Sequence, residues 1–189
     1  VEYVAVSQNS IPYNDGSNSF NLRIDSVLTR GMLRWGQPDY FRMFRIPAVA
    51  VLTADGRKVT TTSSDSLAEA VHRSDRNVII SRNYVSAGRY ADLGFADALP
   101  LLGYECDYTQ SDGTYSFKIA GICEPMRWSH FETAEQWGGP IVGYEFRDPD
   151  IINLGNPLYV QVSLRLTPDA DTGTRFMDEL MADADRLYT

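Results

Sequence analysis

Lysine, histidine and cysteine are scarce in this chain, whose 189 residues include two of each. Neither His72 nor His130 has a second histidine at metal-ligand spacing, so a zinc or iron site is not expected. The sequence also lacks a Gly-x-Ser-x-Gly elbow, a dinucleotide-binding glycine pattern and a phosphate-binding loop. We therefore do not expect an enzyme.

Long hydrophobic runs are also missing. No window of about 18 apolar residues is present, so neither a membrane-spanning helix nor a membrane partner is expected. The first residues lack the charged and apolar regions of a signal peptide. The chain begins at Val1 rather than Met, which we interpret as a fragment, a processed product or the ordered part of something longer.

The two cysteines, Cys106 and Cys123, are too few for a disulfide framework. They fall in neighbouring predicted strands, so a disulfide between the strands is conceivable, but two free, half-buried thiols are the favoured interpretation. Four aspartates in turns that flank the last predicted strand could bind Ca²⁺: Asp148, Asp150, Asp169 and Asp171. They lack the glutamate and spacing of a calcium loop and suit turn formation and helix capping better. The predicted cofactor is therefore none, with Ca²⁺ as the alternative.

Aromatic residues are abundant, with eleven Tyr, eight Phe and three Trp, which favours a β-rich chain. Eight strands are predicted, at 2–7, 20–29, 39–53, 78–85, 101–110, 115–122, 140–146 and 157–167. The segment 30–38 is long enough for one helical turn, and 66–73 is a short helical candidate. A hairpin is predicted between 108 and 117, where Ser-Asp-Gly separates two alternating runs.

The fold class that these elements predict is all-β, an eight-stranded antiparallel sandwich with a C-terminal helix, and the jelly roll is the leading candidate. Residues 1–168 would form this domain and 169–189 a helical extension. Within the extension, Phe176 and Leu180 begin an apolar stripe at helical spacing that continues to Leu187.

Charge is unevenly distributed along the chain, whose formal net charge is -8. Residues 20–90 contain eleven basic residues against six acidic ones, whereas 91–189 contain six against seventeen. The folded protein could therefore have two faces of opposite charge, or folding could interleave the halves and cancel the difference. Fifteen of the basic residues are arginine, which suits interfaces because its planar fork pairs with carboxylates and stacks on aromatic rings.

The segment 38–51, PDYFRMFRIPAVAV, contains two arginines in a run that otherwise suits a strand. We predict that residues 48–52 pack inside the domain. Arg42 and Arg45 are predicted to reach partners outside it.

The segment 18–53, NSFNLRIDSVLTRGMLRWGQPDYFRMFRIPAVAVLT, resembles the capsid proteins of circovirus-like small circular single-stranded DNA viruses. The runs at 102–121 and 156–167 look like that family's hairpin and final strand. The shell domains of tombusvirus-like and nodavirus-like capsids are also similar. The resemblance implies a single jelly roll, a virion location and a subunit that assembles with copies of itself into an icosahedral shell around a nucleic acid genome. The chain departs from the family in lacking an arginine- and lysine-rich arm.

On this hypothesis the protein works by association rather than by chemistry. The candidate phosphate-binding residues are Arg23, Arg30, Arg34, Arg42 and Arg45, and the candidate subunit-interface residues are Trp128, Phe131, Trp137, Phe176 and Leu180. The alternative is a β-sandwich carbohydrate-binding module in which Trp128 and Trp137 stack on sugar rings. A hydrolase would need His130 and carboxylates in one pocket.

Overall fold

The computed structural model describes residues 1–8, 18–24, 27–82, 97–110, 113–124, 141–143 and 160–168, together with residues 178, 179, 181 and 182. The elements whose bounds are described are ten strands, two α-helices and one 3-10 helix (Leu99–Leu101). The strands are β1 (Tyr3–Gln8), β2 (Asn18–Ile24), β3 (Val27–Gly36), β4 (Ala48–Leu52), β5 (Lys58–Thr60), β6 (Asn77–Ser81), β7 (Glu105–Gln110), β8 (Gly113–Cys123), β9 (Ile141–Gly143) and β10 (Val160–Arg165). The helices are α1 (Pro38–Met43) and α2 (Ser64–His72).

The strands are hydrogen-bonded into one branched, mainly antiparallel sheet. Its longest path runs β10-β1-β3-β2-β7-β8-β4-β5, and β6 and β9 branch from it. Two pairs are parallel, β6 with β8 and β3 with β9. A chain made mostly of antiparallel strands with few helices confirms the predicted β-rich, all-β character.

Several local predictions are confirmed. The helical candidate at 66–73 is α2, and β7 and β8 form the predicted hairpin, in which Gln110 pairs with Gly113. Strand β4 is almost wholly buried, as predicted for 48–52. Four residues of the predicted C-terminal helix, Asp178, Glu179, Met181 and Ala182, are helical, and the rest of 173–188 lies outside the described residues.

Three predictions around residues 20–53 are wrong. The segment 30–38 is not a helical turn but most of β3, and 20–29 is not one strand but parts of β2 and β3, which pair with each other. The segment 39–53 is not one strand, because its first residues form α1. The chain also has ten strands in its described part where the sequence predicted eight.

Helix α1 has start and stop signals that outweigh the β propensity of its aromatic residues. Pro38 stands at the first helical turn, where its missing N–H costs nothing, and Asp39 lies in the same turn. The helix ends with a residue in the left-handed conformation, Arg45, whose φ is 49°. The Ile46 N–H then bonds back to the Phe41 carbonyl at 3.1 Å, and the Arg45 N–H bonds to the Arg42 carbonyl at 3.2 Å, which completes a Schellman motif.

Two buried clusters share the central strands β4, β6 and β8. The sheet cluster comprises Ile24, Ala50, Leu52, Val78, Ile80, Ala98, Leu101, Leu102, Cys106, Phe117, Ile119 and Ile122. The helix cluster comprises Ala5, Tyr40, Phe41, Met43, Ile46, Ala48, Val51, Leu67, Ala68, Ala70, Val71, Ile79, Ala120 and Cys123. Successive residues alternate between the clusters, as Ile79 and Ile80 do on β6, because side chains of a strand point to opposite faces of the sheet.

Helices α1 and α2 complete the helix cluster on one face of the central strands. Contacts join α1 to α2 and to β1, and α2 to β4, β6 and β8. No helix among the described residues is long and apolar enough to span a membrane.

Candidate functional site: an arginine-lined pocket

A polar pocket with a volume of about 390 Å³ lies where α1 ends, α2 begins and strands β1 and β10 meet. We call it the arginine pocket, because three arginines from different parts of the chain line it. Its lining comprises Glu2, Tyr3, Arg42, Arg45, Pro47, Thr62, Ser63, Ser64, Asp65 and Arg165. Among the described residues that line it there is no histidine.

Arg42 is held by carboxylates from both helices. Its Nη1 donates to Asp39 Oδ1 at 2.6 Å within α1, and its Nε donates to Asp65 Oδ1 at 3.0 Å in the first turn of α2. Partial burial acts to lower the pKa of the Arg42 guanidinium, but the hydrogen bonds to Asp39 and Asp65 outweigh it and raise the pKa. Arg42 therefore stays charged and joins the two helices.

Arg165, at the end of β10, also lines the arginine pocket. Its Nε lies 3.2 Å from Glu2 Oε2, and its Nη1 donates to the Met43 carbonyl at the end of α1 at 3.4 Å. The guanidinium carbon also lies 6.0 Å from the centre of the Tyr3 ring, within the range of a cation–π contact. The antiparallel pairing of β1 with β10 sets this position, because Tyr3 and Arg165 are register partners.

Arg45 differs from the other two arginines. Its side chain is exposed and makes no hydrogen bond or ion pair with the described part of the chain. Nearby, Ser63 is the N-cap of α2 but makes no side-chain capping bond, so the first N–H groups of that helix lack the usual cap. As far as the described residues show, the pocket thus presents one cation without an ion pair, helical N–H groups without a side-chain cap and several hydroxyls.

The five arginines predicted to face phosphate are distributed over β2, β3, α1 and the turn after α1. Arg42 and Arg45 line one pocket. Arg23 is exposed near the end of β2, where its backbone neighbour on β7 is Asp107, and it does not line the pocket. Arg30 and Arg34 lie on β3, and their side chains are not described. The predicted interface residues Trp128, Phe131, Trp137, Phe176 and Leu180 lie outside the described residues.

Sequence reasoning missed the partners of the two pocket arginines. The Asp39–Arg42 spacing is readable as a helical i,i+3 pair once α1 is recognised from Pro38. Arg165 could not be found in this way, because 122 positions separate it from Met43, whose carbonyl it bonds. Only the pairing of β1 with β10 brings it there.

The described residues contain neither a cluster of metal-ligating side chains nor an exposed thiol. No group of three or more His, Cys, Asp or Glu side chains converges there, and the predicted calcium-site aspartates at 148, 150, 169 and 171 lie outside that part of the chain. Cys106 and Cys123 are free and buried, more deeply than predicted. Burial raises the pKa of each thiol to about 12, so both stay protonated and unreactive near neutral pH.

Comparison with known proteins shows a fold likeness but no family. No protein-family model matches the sequence, and no curated protein matches it. Among solved structures, the chain is similar to a crystal structure of a domain of a "putative Permease protein" from Porphyromonas gingivalis. The two share 13% sequence identity at a TM-score of 0.65, over 100% of this chain and 71% of that one.

Proposed function

We propose that this chain is the extramembrane domain of a permease-type membrane protein and that it acts by binding rather than by catalysis. The observation that carries this proposal is the fold likeness, which extends over the whole chain at a TM-score of 0.65. The structural neighbour is described as a domain of a larger protein, and this chain is proposed to be a domain in the same sense.

The placement of β1 and β10 supports the proposal. They pair antiparallel from Tyr3 with Arg165 to Gln8 with Val160, so the start of the first strand lies beside the end of the last one. Such an arrangement suits a domain inserted between two membrane segments, because the chain then enters and leaves the domain at the same surface. The arginine pocket lies at this end and offers a binding surface there.

A labelling experiment on the complete gene product tests the membrane assignment. Ala54 lies in the exposed turn between β4 and β5, so an Ala54→Cys variant presents one accessible thiol. We expect the product to sediment with membranes and to react with a membrane-impermeant maleimide from one side only. Cysteines outside residues 1–189 are replaced beforehand.

The chain supplies its own control for this measurement. Cys106 and Cys123 are buried, so the unmodified sequence should remain unlabelled until detergent and denaturant expose them. A complete gene product that stays in the soluble fraction, or that forms closed particles tens of nanometres across, would overturn the proposal.

The capsid-subunit hypothesis, with its jelly-roll topology, virion location and genome binding, stays a prediction, although the described part of the chain has ten strands rather than the predicted eight. The carbohydrate-binding alternative rests on Trp128 and Trp137, which lie outside the described residues. Electron microscopy of the purified chain addresses the first of these predictions and a glycan array the second. Closed particles or a specific glycan would favour the respective hypothesis over the permease domain.

A further inference from the structure

The conformation of Arg45 is unusual for an arginine. It occupies the position after the end of α1, with φ of 49°, where helices that end in a Schellman motif usually have glycine. A side chain in the left-handed region costs roughly 1–2 kcal/mol relative to glycine. Glycine at this position would therefore make the folded protein more stable. A residue that keeps an unfavourable backbone conformation is a candidate for a functional side chain.

The charges around the pocket indicate what that role is. Arg42 is paired with Asp39 and Asp65, and Arg165 is paired with Glu2. Within the described part of the chain, Arg45 has no ion-pair partner, so the three arginines of the lining face two carboxylates, Glu2 and Asp65. A planar guanidinium binds a carboxylate through two parallel hydrogen bonds, which gives both strength and orientation.

The neighbours of Arg45 favour a singly charged anion. Glu2 and Asp65 also line the pocket, so a doubly charged phosphate would meet two carboxylates as well as the arginines. A carboxylate needs only the unpaired guanidinium. Its second oxygen can accept from the hydroxyls of Ser63 and Ser64, at the uncapped positive end of α2.

We propose that the arginine pocket is a carboxylate-binding site and that Arg45 is its principal ligand. The carboxylate could belong to a small free acid or to an acidic side chain of a partner, since both present the same group. The site does not depend on attachment to a membrane, so the inference goes beyond the proposed function and can fail independently of it.

The test is a titration of the full 189-residue chain in which binding is measured through the NMR chemical shifts of the backbone amides of residues 42–47 and 62–66. The probes are acetate, the capped tripeptide acetyl-Gly-Glu-Gly-amide, its glutamine counterpart and inorganic phosphate. We expect the glutamate peptide to shift these amides in a saturable way and the glutamine peptide to leave them in place. If acetate binds as tightly as the glutamate peptide, the source is a free acid; if the peptide binds more tightly, it is a partner's side chain.

Arg45→Gly is the decisive variant, because glycine suits the backbone at this position and the protein should stay folded. We expect its affinity for the carboxylate probe to fall at least tenfold, and Arg45→Asn, which also tolerates the left-handed conformation, to behave in the same way. Arg57→Gln is the matched control, since it removes an exposed arginine outside the pocket, and it should change affinity less than twofold. The proposal is overturned if no probe shifts these amides, if phosphate binds more tightly than the carboxylates, or if Arg45→Gly binds as well as the unmodified chain.

Discussion

The sheet cluster and the helix cluster use the same three central strands but fill their two sides differently. The sheet cluster is built largely from bulky side chains, such as Leu101, Leu102 and Phe117. The helix cluster has small residues on its strands, such as Ala48 and Ala120, and its bulky side chains come mainly from α1 and α2. One side is thus packed by its own strands and loops, and the other by helices that lie over small strand residues.

Gly121 shows how closely the helices approach. A methyl group on this residue would come within 2.7 Å of Ile79 Cδ1 and 3.1 Å of Leu67 Cδ2. The small strand residues allow α2 to lie against the sheet, and α1 packs on α2 and β1 in turn. The arginine pocket lies at the end of this assembly, so close helix packing on one side of the sheet positions the candidate site.

The largest expected effect concerns the two thiols, because each cluster contains one. Cys106 lies in the sheet cluster and Cys123 in the helix cluster, and burial raises the pKa of both to about 12. A shift from 9.0 lowers the thiolate fraction near pH 8 about a thousandfold. We expect iodoacetamide to label both thiols at least that much more slowly in the native protein than in the unfolded chain, as peptide mass mapping would detect.

The same thiols report on stability and on the order of unfolding. Their raised pKa contributes stability that is fully present below pH 9 and is lost as pH rises towards 12, because only the unfolded chain ionises in that range. Labelling at increasing urea should modify both residues together if the clusters unfold as one unit. Earlier labelling of Cys123 would show that the helix-covered side opens first. Rapid labelling of either thiol without urea would contradict the packing described.

Phe41→Ala should cause the largest loss of stability among the substitutions considered. The side chain is fully buried in the helix cluster, so its removal is expected to cost about 3–5 kcal/mol in the free energy of unfolding. Phe44, three positions further on, is 39% exposed, and Phe44→Ala should cost about 1 kcal/mol or less. Urea denaturation compares the two, and equal losses would mean that α1 does not contribute a packed face.

Gly121→Ala tests the close approach of α2 more directly. The added methyl group must displace Ile79 Cδ1 or Leu67 Cδ2, and we expect a loss of about 1–3 kcal/mol from overpacking. Ile79→Val removes the atom nearest to the new methyl group, so the double variant should lose less than the sum of the two single variants. A strictly additive result in this double-mutant cycle would show that the contact does not limit packing.

Arg45→Gly is expected to cause the smallest change in the free energy of unfolding, and this change should stabilise the protein. Relief of the left-handed conformation should raise the free energy of unfolding by about 1 kcal/mol, whereas Arg45→Ala keeps the strain and should not. Thermal denaturation of the two variants measures the difference. If the alanine variant is as stable as the glycine variant, the left-handed conformation of residue 45 has no measurable cost.

Local signals in the sequence predicted the elements whose structure depends on neighbouring residues. The Ser-Asp-Gly turn predicted the β7–β8 hairpin, and the short helical candidate at 66–73 is α2. The apolar run 48–52 predicted a buried strand. The prediction of a strand at 39–44 was wrong because Tyr40 and Phe41 have a high strand propensity. Pro38 at the first helical turn and the Schellman motif at the end stabilise a helix there instead.

Only part of the candidate site could be predicted from the sequence. Arg42 and Arg45 attracted attention because charges interrupt an apolar segment, and both line the pocket. Their predicted position in a strand was wrong, since they lie on and just after a helix. Glu2, just before β1, and Arg165, at the end of β10, reach the pocket through a strand pairing that no local pattern specifies.

The sequence by itself determined the β-rich composition, the turns, the short helix α2 and the absence of a recognisable catalytic motif, because these depend on residue types within a few positions of each other. Tertiary structure alone decided the order of strands in the sheet, the small-residue surface that receives the helices and the meeting of three arginines in one pocket. Such features depend on backbone pairing and side-chain packing between segments more than a hundred residues apart, as with Met43 and Arg165, whose separation is 122 positions.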